Sequence, residues 1–227
     1  MNKEKIIGIV GYRSEDGSVF GAGSNYLELI SRFGKPHIIF PCEEIVRMDM
    51  LLLPGGPDMA PQSFGAAPTF KTGNQDVFRQ FFYDRQLPRY IEAGIPIFGI
   101  CLGFQMLAVY FGSLLEQHLW RHPQSSARST AAHEVAPLPV AAGYGAQPFE
   151  VNSHHHQGVL LRKLSPQLEA LALAPPDPFQ DDQLVEAFRH KTKPVMAVQW
   201  HPEEWFDDFS RKMIEQLLTG QRLTQNV

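Results

Sequence analysis

The chain has 227 residues, of which 44% are hydrophobic and 19% charged, enough for the core of one large α/β domain over residues 1–227 and short for two. Its net charge of −4 offers no basic footprint, which argues against nucleic acid as a partner, and no apolar run reaches membrane-spanning length. The two cysteines, Cys42 and Cys101, make no disulfide framework, so a reducing cytoplasm is the expected compartment.

Residues 6–10 (IIGIV) read as a first strand, broken at once by Gly11, Tyr12 and Arg13 and too short for a signal peptide. A glycine-containing loop over 14–23 leads to a helix capped by Ser24, with apolar positions Tyr26, Leu29, Ile30 and Phe33. Gly34 ends it and Pro36 prevents its resumption. Residues 37–40 and 50–53 read as the second and third strands. Strands alternating with helices indicate an open, mostly parallel sheet covered on both faces.

The third strand runs into Pro54-Gly55-Gly56-Pro57-Asp58, a turn at the edge where such sheets place ligands. Two readings stand: a glycine N–H presented to a substrate oxygen, or an ordinary Pro/Gly turn. Residues 65–74 read as a mobile loop over the same edge, and 76–92 as helical, kinked or divided by Pro88.

The stretch 94–112, GIPIFGICLGFQMLAVYFG, organises the chain. Its first part has the length and β-branching of a buried central strand, and 102–111 has a helical apolar pattern. Cys101 stands at the join between Gly99 and Gly103, a thiol version of the strand-turn-helix nucleophile elbow. A helix N-terminus there favours a thiolate and can hold an oxyanion.

Beyond Gly112 the pattern weakens, and 118–145 reads as irregular structure or short strands. Residues 149–153 resume strand character before His154-His155-His156-Gln157, and 168–174, 184–189 and 195–199 read as further strands. A closing helix spans 207–218 and ends at Gly220. His201, just after the last strand, is the best candidate for a general base, with Glu203 two residues on and on the same side of an extended segment. Pro202 stiffens that arrangement. In the histidine run, His154 and His156 would share a face if it were a strand, but no C-x-x-C or H-E-x-x-H pattern accompanies them. Pocket lining or a structural role is expected there instead, with no metal and no cofactor.

Together, Leu53-Pro54-Gly55-Gly56-Pro57-Asp58, Gly99-Ile100-Cys101-Leu102-Gly103-Phe104-Gln105 and Val198-Gln199-Trp200-His201-Pro202-Glu203 resemble the class I glutamine amidotransferase-like family of the peptidase C26 type. The glycine loop through Met59-Ala60-Pro61 and Phe64-Gly65, the segment Val151-Asn152-Ser153 with His155-His156-Gln157, and His133-Glu134-Val135 look most like the γ-glutamyl-γ-aminobutyrate hydrolase branch. The resemblance implies a flavodoxin-like or Rossmann-like sheet and a triad of Cys101 as nucleophile, His201 as base and Glu203 as orienter. It further implies an oxyanion hole from the N–H groups of Gly56 and Leu102. Substrate would be bound by Gly55, Asp58, Gln105, Asn152, Ser153 and His156. Leu102 departs from the arginine usual in the hydrolase branch; leucine is familiar from glutaminase subunits that feed synthases. The connection between Phe40 and Met50 is also shorter than usual in that branch.

Three functions are compatible with the resemblance. The first is a free-standing hydrolase of a small-molecule γ-glutamyl amide, acting through a γ-glutamyl thioester. The second is a glutaminase passing ammonia to a separate synthase subunit, since the chain carries no ammonia-using domain and Gly34-Lys35 does not make a P-loop. The third, a silent binding protein on the same fold, is disfavoured by the presence of Cys101 and His201. A homodimer is left open; neither membrane nor nucleic acid is expected as a partner.

Overall fold

The computed structural model describes residues 4–14, 17–18, 20–40, 44–176 and 182–220, and Cys42 lies outside them. In chain order the strands are β1 (Ile6–Val10), β2 (Tyr12–Arg13), β3 (Phe20–Gly21), β4 (Lys35–Ile39), β5 (Met50–Leu53), β6 (Ile97–Ile100), β7 (His133–Pro137), β8 (Phe149–Val151), β9 (Val159–Leu160), β10 (Leu168–Leu173), β11 (Leu184–His190) and β12 (Val195–Val198). The α-helices are α1 (Ser24–Ser31), α2 (Val77–Phe81), α3 (Leu87–Glu92), α4 (Leu102–Tyr110) and α5 (Asp208–Thr219). No helix among the described residues is long and apolar enough to cross a membrane.

The strands β4-β1-β5-β6-β12 run parallel in that spatial order. The second of them lies outside the first and the others follow on the far side, which is the flavodoxin order. The expected α/β class and parallel centre are thus present. Beyond β12 the sheet continues as an antiparallel wing through β11, β10, β7 and β8, with β9 also paired to β11.

Successive side chains of β5 alternate between two cores, as the pleat requires. Leu51 and Leu53 pack with Phe82, Leu87, Tyr90 and Phe104, whereas Met50 and Leu52 pack with Tyr26, Ile30, Met213 and Ile214. Helices α1 and α5 therefore cover one face, and α3 and α4 the other. Helix α4 is buried from Leu102 to Val109 with no polar stripe, as expected of a helix enclosed on all sides.

One local detail differs from the sequence reading, and a second decides between alternatives it left open. Gly23 rather than Ser24 occupies the cap of α1, with no side-chain capping bond. The 76–92 segment is divided: the Asp76 carboxylate accepts from the N–H groups of Phe78 and Arg79, α2 passes into a π-helical turn at Phe82–Gln86, and α3 then begins with Pro88 in its first turn.

The N-terminus of α4 sits unusually close to the sheet. A Cβ on Gly103 would lie 2.2 Å from the Leu53 carbonyl oxygen, and one on Gly99 2.8 Å from the Gly103 backbone. Both obstacles are backbone, so neither can rotate aside. Gly103→Ala is expected to destabilise the fold by at least about 1–3 kcal/mol, read as a lower midpoint in urea unfolding.

Candidate active site

Cys101 joins β6 to α4 with φ 51° and ψ −102°. A side-chain-bearing residue with positive φ is disfavoured, at a cost of about 1–3 kcal/mol that the surroundings must offset. Its N–H donates to Val198 O at 3.0 Å and its carbonyl accepts from Gln105 N at 3.0 Å, tying the residue to β12 and to α4.

Strand β12 delivers His201 to the same edge. Both backbone groups of His201 are held by one side chain: its N–H donates to Asn152 Oδ1 at 2.8 Å and its carbonyl accepts from Asn152 Nδ2 at 3.0 Å. The ring is buried, and Nδ1 lies 2.6 Å from Glu203 Oε1. With the Nδ1 proton donated to that carboxylate, Nε2 is the free position; it is buried without a nitrogen or oxygen partner among the described residues. Gly55 lies between ring and thiol, since a Cβ there would stand 2.8 Å from His201 Cε1 and 3.5 Å from Cys101 Cβ. Burial alone would strip His201 of its proton, but the Cys101 sulfur and the Glu203 carboxylate outweigh it and raise the imidazole well above its ordinary value.

Two buried groups shape the glycine turn. Arg79 donates through Nη2 to the carbonyls of Pro54 and Gly55. Because the peptide is trans and planar, carbonyls aimed at Arg79 turn the N–H groups of Gly55 and Gly56 the opposite way. The Gly55 N–H meets Tyr26 Oη at 2.9 Å. Gly56 lies against Leu102, whose Cδ2 would be 2.8 Å from a Cβ on Gly56. Burial, reinforced by Glu203, pushes the Tyr26 phenol well above its usual range, so it stays protonated beside that carboxylate.

Residues 5–203 match the model of the Peptidase C26 family. The chain belongs to that family. It is 32% identical over an alignment 245 positions long to the glutamine amidotransferase-like protein YvdE of Lactococcus lactis, covering 95% of this chain and 98% of that one. It is 27% identical over 208 residues to the glutamine-hydrolysing GMP synthase of Bifidobacterium longum, covering 86% of this chain and 33% of that enzyme. Among solved structures it is similar to PurLQS from Thermotoga maritima, with TM-score 0.64 and 14% identity over 97% of this chain and 100% of that one. At that identity the structural likeness speaks to the fold.

The other residues singled out in this peptidase C26 chain fall in three places. Asp58 and His156 stand together at the mouth, with His156 Nε2 2.9 Å from Asp58 Oδ1, while Asp58 Oδ2 accepts from Gly73 N at 2.7 Å and so ties down the 65–74 loop. Gln105 is buried behind the elbow, donating to Gln157 O at 3.1 Å. Asn152 and Ser153 are engaged by the protein itself: Asn152 holds His201, and the Ser153 N–H donates to Ser125 Oγ at 2.9 Å.

His154 and His156 do not converge on a common point. The His154 ring stands edge-on to His201 at 5.7 Å between centroids, whereas His156 faces Asp58 and His118. Sequence reasoning missed Arg79 and the polar role of Tyr26. The only signal was a tyrosine at an apolar position of one helical pattern and one arginine among several charged residues of the other. Tyr26→Phe would leave the buried Gly55 N–H without an acceptor and is expected to lower stability by about 1–3 kcal/mol, measured by urea unfolding at constant pH.

Proposed function

We propose that the chain is a cysteine hydrolase that cleaves the γ-glutamyl amide bond of glutamine or of a γ-glutamyl amine. The observation that carries this reading is His201, with Nδ1 locked to Glu203 at 2.6 Å and Nε2 buried beside Cys101 and unclaimed by any other polar group among the described residues. In the first step His201 takes the Cys101 proton and Sγ attacks the amide carbon. The carbonyl oxygen becomes an oxyanion held by the N–H groups of Gly56 and of Leu102 at the start of α4. His201 then gives its proton to the departing nitrogen, the C–N bond breaks, and an amine and a γ-glutamyl thioester remain. Water, deprotonated by His201, cleaves the thioester to a carboxylate and frees the thiol.

Arg79 contributes by fixing the turn before the reaction starts, so the Gly56 N–H does not reorient when charge develops. A groove of about 300 Å³, lined by Thr69, Phe70, Lys71, His118 and Trp120 among others, adjoins the mouth through the His118–His156 contact. It supplies room for an amine larger than ammonia. The second reading is a glutaminase delivering ammonia to a separate synthase; it rests on Leu102 and on the similarity to one third of a glutamine-hydrolysing GMP synthase.

Purified protein given L-glutamine and a panel of γ-glutamyl amines is expected to release amine from a γ-glutamyl amine without any partner. Activity on glutamine alone, appearing only with a co-purifying synthase, would transfer the assignment to the second reading. Cys101→Ala is expected to lower turnover by at least about 10³-fold with unfolding unchanged.

Glu203→Gln is expected to reduce turnover less than His201→Ala, because the carboxylate orients without carrying the transferred proton. It also has a pH signature. Glu203 helps hold the His201 proton, so removing its charge lets imidazole deprotonate at lower pH. Because His201 must lose that proton to act as base, the acidic limb of kcat/KM is expected to move downward, and an unmoved limb would remove Glu203 from this role.

A further inference from the structure

Four side chains that the hydrolase reading leaves unused meet beneath the 152–157 segment. Glu186 on β11 is 0% exposed, and neither carboxylate oxygen has a hydrogen-bond partner among the described residues. Its Oε1 lies 3.8 Å from His122 Nε2, 3.9 Å from His155 Nε2 and 3.9 Å from His133 Nε2. The Nε2 atoms of His122 and His155 are 3.2 Å apart.

Two ring tautomers follow from the chain itself. His155 Nδ1 is 3.0 Å from Gln157 O and His133 Nδ1 is 2.9 Å from Glu134 O. A carbonyl only accepts, so each Nδ1 carries the proton and each Nε2 presents a lone pair. Lone pairs of imidazole and carboxylate thus face one another in a buried space, at separations too long for hydrogen bonds to Glu186. A carboxylate buried without donors is strongly disfavoured unless a cation compensates it.

A zinc ion fits the spacing. Metal–ligand bonds of about 2.0–2.2 Å in a tetrahedron place neighbouring ligand atoms about 3.4 Å apart. The separations among His122, His155 and Glu186, 3.2–3.9 Å, lie around that value. Imidazole N–H groups donated to backbone carbonyls are also the outer-shell arrangement that orients metal-bound histidines. Two imidazoles with one carboxylate suit zinc better than magnesium or calcium, which favour all-oxygen shells.

We propose that His122, His155 and Glu186 ligate a zinc ion, with His133 standing beside Glu186. The ion joins β11 to the 113–132 connection and to the segment carrying His154 and His156. This site is independent of the hydrolase reading, since none of its four residues belongs to the proposed triad.

The test uses the full chain, stripped with a chelator and titrated with zinc chloride or cobalt chloride. Elemental analysis is expected to give one metal per chain, cobalt to show the intense d–d absorption of a tetrahedral site, and zinc to raise Tm. His122→Ala, at a half-buried position, and Glu186→Gln are expected to abolish stoichiometric binding, with circular dichroism checking the fold. His133→Ala is expected to weaken binding about 10- to 100-fold. Cys101→Ala is expected to bind as the parent does, without change in the cobalt spectrum. Failure of the folded parent to bind stoichiometrically, or loss of binding in Cys101→Ala with retention in His122→Ala, would overturn the proposal.

Discussion

The backbone of Gly103 packs against Leu53 with no space for a methyl group between them, and the geometry of the site follows from that contact. It draws the first turn of α4 onto the ends of β5 and β6, forcing Cys101 into a positive-φ turn and placing Leu102 beside Gly56. Burial of α4 between the sheet and the neighbouring helices holds the strained conformation. The strain at Cys101 is thus maintained by apolar contacts spread along Leu102–Val109 rather than by any one bond.

Charge in the interior is handled in two contrasting ways. At the cysteine edge, Arg79 is buried against carbonyl oxygens, and Glu203 is buried against His201 and Tyr26. Each meets groups of complementary polarity, so the low dielectric strengthens the contacts instead of expelling the charge. Beneath the histidine run, Glu186 meets only acceptor lone pairs from His133 and His155. The same protein therefore contains one carboxylate with an oxygen bound by an imidazole N–H and one whose charge those two rings do nothing to offset.

Local signals carried the elbow. Its glycines, the apolar strand before it and the helical pattern after it occupy one short stretch, so its architecture is legible without knowledge of the rest of the chain. The same is true of His201 and Glu203, two residues apart. Tyr26 and Arg79 are different. Each is separated from the glycine turn by more than twenty residues, and each reads locally as an ordinary helical position. Their roles arise from tertiary packing. The directions of the histidine run were not legible for a definable reason: strand alternation would pair His154 with His156, but β8 ends at Val151 and the period of two does not extend past it. The rings therefore turn three ways, toward His201, Glu186 and Asp58.

The π-helical turn at Phe82–Gln86 has a consequence for chain length. Such a turn holds one residue more than an α-helical turn and shifts the phase of everything after it by about 100°. With the shift, α2 can aim Arg79 at the glycine turn while α3 lays Leu87, Tyr90 and Ile91 on the sheet. Regular α-helix through this region would satisfy one of these demands and rotate the other away. In this segment the number of residues is as constrained as their identity, and a single deletion among 82–86 would disturb a guanidinium about one to two turns away without touching it.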